Sequence, residues 1–141
     1  MRPVHFMTDQ EIFDRVVDHL FEQRRAAILP RGGAAYRSPC GGCPIGRFIR
    51  PADYTSAMEG VPVRFLSGSV PGRPSYMDAG ITALRKALLR AKINVYDERI
   101  VALLSCLQNV HDIFGVWEWH DRLLSIAHEY GLDAERLRLA A

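Results

Sequence analysis

The chain has 141 residues, of which 48% are hydrophobic and 24% charged, with a formal net charge of +2. That balance excludes a disordered or fibrous chain and suits a single domain over residues 1–141. A stretch of about 18 consecutive apolar residues, as a membrane-crossing helix requires, is missing, so no membrane partner is expected.

Residues 1–9 lack the apolar core of an export signal. Three cysteines is a small, odd number, which reads as reduced thiols in a cytoplasm. Sixteen arginines stand against two lysines. Eight of the arginines, but only the acids Asp53 and Glu59, fall between Arg24 and Arg73, so this window carries +6 and the rest of the chain −4.

Thr8-Asp9-Gln10-Glu11 forms a capping box. Ile12, Phe13, Val16, Val17, Leu20 and Phe21 then repeat at helical spacing, which predicts a first helix over about residues 9 to 27. It ends before Pro30 and Gly32-Gly33. From 34 to 75 the helical period vanishes and Gly and Pro become frequent. Residues 35–37 and 44–49 read as two short strands joined by a turn at 38–42. Val61, Val63 and Phe65 alternate as a third strand or extended segment, and residues 67–74 read as a loop.

Ile81, Leu84, Leu88 and Ala91 mark a second helix over about 77–92. Asp97 is placed to cap a third, carrying Ile100, Leu103, Leu104, Leu107 and Val110 and stopping near Gly115. A fourth runs from about 116 to 130, with Trp117 in its apolar stripe, Trp119 left toward the surface, and Gly131 just past its end. The expected fold is α+β: a layer of about four helices packed on a small two- or three-stranded antiparallel sheet.

Several segments together resemble a family of small uncharacterised bacterial and bacteriophage proteins. Its pattern is Cys-x-Tyr-Arg-Gly, then Cys-Ala-Ile/Val-Gly, then Ile-Pro-Asp ending at a tyrosine. The matching segments here are Tyr36-Arg37, Cys43-Pro44-Ile45-Gly46, residues 49–54 and Met58-Glu59-Gly60. Residues 107–112 and Trp117-Glu118-Trp119 resemble the C-terminal half of the same group. The first cysteine of the pattern is replaced here by Ala34-Ala35. The resemblance implies a prokaryotic or phage cytoplasmic setting and no reaction.

Three chemistries compete for the remaining polar residues. Cys40 and Cys43, spaced Cys-x-x-Cys, suit a disulfide or half a zinc site. Further ligands are hard to find, since Cys106 and His111 diverge by roughly 140° on a helix and His120 and His128 lie roughly 12 Å apart. A cysteine-dependent hydrolase would draw on Cys43, His111 and Asp112 or Asn109, although neighbouring side chains on a helix diverge by about 100°. No cofactor signature is found.

The basic window gives the stronger lead. Arg37, Arg47, Arg50 and Arg64 interleave with Tyr36, Phe48, Tyr54 and Phe65, which suits single-stranded nucleic acid. With Trp119 they also suit a protein interface rich in arginine and tryptophan. The expectation from sequence is therefore a non-enzymatic accessory or regulatory protein that binds a protein partner or a second copy of itself. Nucleic-acid binding through residues 24–73 is the alternative.

Overall fold

The computed structural model describes residues 5–23, 36–37, 43–68 and 74–140. Five α-helices form its frame: α1 Asp9–Gln23, α2 Asp78–Arg90, α3 Glu98–Ile113, α4 Trp119–Tyr130 and α5 Glu135–Ala140. The region between α1 and α2 is built from short 3-10 turns at Gly46–Phe48, Pro51–Asp53, Ser56–Met58, Val63–Leu66 and Ser75–Met77. No helix is long and apolar enough to cross a membrane among the described residues.

The helix signals act where the sequence places them. Thr8 N–H donates to Glu11 Oε1 and Glu11 N–H to Thr8 Oγ1, both at 3.1 Å, so two amides at the start of α1 are satisfied reciprocally. Asp97 accepts from Arg99 N–H at 2.9 Å and starts α3. Gly131 is left-handed (φ 66°), and the amides of Gly131 and Leu132 return to the carbonyls of His128 and Ala127. α3 is the central element: Val101, Leu104, Leu107 and Val110 are buried between α1, α4 and the Val63–Leu66 turn.

The expected sheet is absent, and the fold is helical among the described residues. Residues 44–49 are a turn and a 3-10 turn, in which the amides of Phe48 and Ile49 go to the carbonyls of Ile45 and Gly46. The amides of Tyr36 and Arg37, which a hairpin would use in a ladder, both donate to the Glu59 carboxylate. Val63 and Phe65 lie in a 3-10 turn entered through Pro62. Pro44, Pro51 and Pro62 have no amide hydrogen to give a ladder, so the alternation of apolar residues here marks burial and not strand pairing. The expected hairpin turn at 38–42, and residues 24–27 of the expected first helix, lie outside the described residues.

α4 begins at Trp119, later than expected, after a 3-10 turn at Val116–Glu118. This reverses the two tryptophans. Trp119 is fully buried with Leu123, Ile126 and Ala127, while Trp117 is exposed.

Candidate functional site

Tyr36-Arg37, residues 43–46, 49–54 and 58–60 meet in one irregular belt against α3. Glu59 is its hub. Its carboxylate accepts from Tyr36 N–H at 2.7 Å, Arg37 N–H at 3.3 Å and the Tyr54 hydroxyl at 2.9 Å. Gln108 on α3 is the second tie. Its Nε2 donates to the Tyr36 hydroxyl at 3.0 Å, its Oε1 accepts from Val63 N–H at 2.9 Å, and the Tyr36 hydroxyl donates to the Val61 carbonyl at 2.5 Å. Gly46 passes so close to the Tyr36 backbone that a Cβ would overlap its carbonyl. In this chain these residues hold the belt together.

The arginines expected to form a basic platform are engaged with different neighbours. Arg37 donates to the Ile49 carbonyl at 2.8 Å and lies over the Tyr54 ring at 5.1 Å. Arg50 pairs with Asp53 at 2.8 Å, and Asp53 also holds Arg90 at 2.8 Å. The two guanidinium groups keep the Asp53 carboxyl below the usual carboxylate range. Arg64 lies over the Phe65 ring, and Arg47 shares a recess with Asp18 and Glu22 of α1. Tyr36 and Phe48 are buried, and Tyr54 is half-buried with its hydroxyl on Glu59. Tyr36 and Phe48 are therefore withdrawn from stacking, while Arg47, Arg50 and Arg64 stay exposed without a sheet to carry them among the described residues. Arg24, Arg25, Arg31 and Arg73 lie outside the described residues.

Cys43 is also buried, and burial pushes its thiol up to about 12. A nucleophilic cysteine works as the thiolate, so this environment opposes the hydrolase reading. His111 is buried too, with Nδ1 2.9 Å from Asp112 Oδ1 and its ring 6.1 Å from that of Trp119. Adjacent residues therefore do pair, contrary to the helical-divergence expectation, but the imidazole is packed into the core. Cys40 lies outside the described residues. No group of three or more His, Cys, Asp or Glu side chains that could hold a metal occurs among the described residues.

The exposed apolar surface gathers where α3 turns into α4. Trp117 is 85% exposed, Ile113 67%, and Val116 lies between them. The Trp117 indole is folded over Gly115, where a Cβ would sit 2.5 Å from the ring. Glu118 fixes the turn by accepting from Gly115 N–H at 3.1 Å. Beneath Ile113 a cleft of about 240 Å³ opens between α3 and the 60–64 segment, lined by Tyr36, Cys43, Arg64, Gln108, Asn109 and Asp112.

Trp119, expected as the surface anchor, instead donates its indole N–H to the Phe114 carbonyl at 3.2 Å inside the core. The signal for the right assignment was present in the sequence. Trp119, Leu123, Ile126 and Ala127 keep helical spacing, whereas Trp117 lies only two residues past Gly115. Comparison of the chain with protein-family models, curated proteins and solved structures returns no match.

Proposed function

We propose that this chain is a non-enzymatic accessory protein that acts by holding a protein partner against the corner between α3 and α4. The observation that carries this reading is Trp117, a large aromatic that is exposed yet held in one place by its stacking on Gly115. Tryptophan dominates interface hot spots, and an anchor already fixed in position loses less freedom on binding. Ile113 and Val116 extend the apolar surface, and Asn109 and Asp112 supply an exposed polar rim. The adjoining cleft, at about 240 Å³, is below the 300–1,000 Å³ or so typical of small-molecule sites. It suits one inserted side chain of a partner better than a substrate. A cytoplasmic setting fits Cys43 and Cys106, both free thiols.

The test is affinity capture with the intact chain, compared with Trp117→Ala, from lysate of the organism that encodes it. A partner retained by the unaltered chain should be lost with the variant, at a cost of about 2 kcal/mol or more. The melting temperature should barely change, because the ring is outside the core. Identical capture by both proteins, or a monomer that retains no partner, overturns the proposal.

A further inference from the structure

A second surface lies at the opposite end of α3. Phe6, Thr82, Arg85, Lys86, Leu89, Arg90, Lys92 and Tyr96 enclose an open cleft of about 580 Å³. Its position follows from the chain path. Met7 N–H donates to the Lys92 carbonyl at 2.7 Å, so the N-terminal arm is drawn against the α2–α3 connection and Phe6 becomes one wall. On α2, Arg85 and Leu89 form one four-residue pair and Lys86 and Arg90 another, which places cations beside the apolar floor. Tyr96 is 71% exposed at the edge.

Four cations line this cleft and no carboxylate does. Arg90 is held by Asp53. Arg85, Lys86 and Lys92 make no ion pair among the described residues. The chain contains only two lysines, and both are here.

Lys92 also sits in left-handed backbone (φ 69°), two residues past the end of α2 and just after its cap Ala91. Lys92 N–H returns to the Leu89 carbonyl and Ile93 N–H to the Leu88 carbonyl, each at 3.0 Å. That helix ending favours glycine, and a side chain there costs about 1 kcal/mol. A strained non-glycine residue that delivers a charge into a cleft is a pattern found at binding sites.

We infer that this cleft receives a short acidic segment of a partner protein, seating an apolar side chain on Phe6, Leu89 and Tyr96 while its carboxylates meet Arg85, Lys86 and Lys92. Charge complementarity selects an anionic occupant. The limited extent of the cluster selects a peptide over a nucleic-acid strand. Among the described residues, the neighbouring Arg37, Arg50 and Arg99 are already engaged with acceptors of their own chain, which leaves a short cluster rather than a track for a phosphate backbone. The site is separate from the Trp117 corner, since the sixteen residues of α3 place their ends about 24 Å apart.

The test titrates the intact protein with a short fluorescent peptide of alternating glutamate and leucine. Controls are the same peptide with serine for glutamate, and a labelled thymidine oligonucleotide. The acidic peptide should bind, weaken with added salt, and lose about tenfold or more when Arg85 and Lys86 are both changed to glutamate. Tyr96→Ala should weaken it as well.

Lys92→Gly separates a binding role from a structural one: it should raise the melting temperature while lowering peptide affinity. Equal binding of the serine peptide, tighter binding of the oligonucleotide, or unchanged affinity in the Arg85/Lys86 and Lys92 variants overturns the inference. Trp117→Ala should leave this titration unchanged, so the two surfaces fail or stand independently.

Discussion

Cys43 and Tyr36 share a wall of the cleft beneath Ile113, and folding holds both in their neutral forms. Burial is the main cause in each case. It lifts the Cys43 thiol from 9.0 to about 12 and pushes the Tyr36 phenol well above its ordinary value, with Cys43 adding to the rise. Above the ordinary thiol range the unfolded chain releases a proton that the folded chain keeps, so the native state binds more protons and stability falls as pH rises. This stabilisation is complete below pH 9.0 and is lost as pH climbs toward about 12. Urea unfolding at a series of alkaline pH values should show that decline, and Cys43→Ala should make it shallower. An unchanged slope in the variant would mean that the buried thiol is not its source. None of this was legible in the Cys-x-x-Cys spacing, which speaks for reactivity. The thiol's surroundings come from Tyr36 and Gln108, 7 and 65 positions away in the chain, and a motif does not contain them.

Among the elements, α5 shows how magnitude decides what holds a helix. Arg136 reaches Asp18 on α1 with two hydrogen bonds, at 2.7 and 2.6 Å. Gln10 and Asp133 exchange a pair of bonds at 2.9 and 2.8 Å. Leu137 of the same helix is fully buried. The ion pair is solvated, so Arg136→Ala should cost little, whereas Leu137→Ala should cost about 2–5 kcal/mol.

The Arg136 hydrogen bonds lower the Asp18 carboxyl below its ordinary value of 3.8. Its contribution is therefore present above pH 3.8 and is lost as pH falls through the lowered value. Thermal melts of Arg136→Ala should differ from the parent at neutral pH and converge with it in acid. A difference that persists in acid would assign the effect to packing of the arginine stem.

The helices themselves were legible because caps and apolar spacing are local signals. Thr8–Glu11, Asp97 and Gly131 act where they stand in the sequence. The strands were misread because Val61, Val63 and Phe65 alternate as strand residues do, while the acceptor that claims the Tyr36 and Arg37 amides is a side chain, Glu59, more than twenty positions on.

At the scale of the whole molecule, the helical frame and the irregular belt depend on different forces. The frame closes on apolar contacts around α3 and carries its own backbone hydrogen bonds. The belt has no ladder or long helix across residues 43–68, and much of its order comes from two polar side chains, Glu59 and Gln108. Removing an acceptor leaves amides without partners, which costs about 1–3 kcal/mol for each buried group.

Glu59→Ala should therefore loosen the belt before it unfolds the protein. Native-state hydrogen exchange should show faster exchange at Tyr36, Arg37 and the 45–66 amides, with α3 and α4 close to their original protection. Gln108→Leu, which cannot receive the Val63 amide, should have a related but smaller footprint centred on residues 61–66. Both variants should keep the helical circular dichroism of the parent.

The same partition bears on binding. The Trp117 corner and the Tyr96 cleft are mounted at the two ends of α3, on the part of the molecule that these substitutions leave intact. A loosened belt should therefore weaken partner capture through the 60–64 wall beside Ile113, and should reach the acidic-peptide titration only through Arg90, which Asp53 of the belt holds. Uniform loss of protection across belt and frame in Glu59→Ala would show instead that the two are one cooperative unit, and that the belt residues support both surfaces.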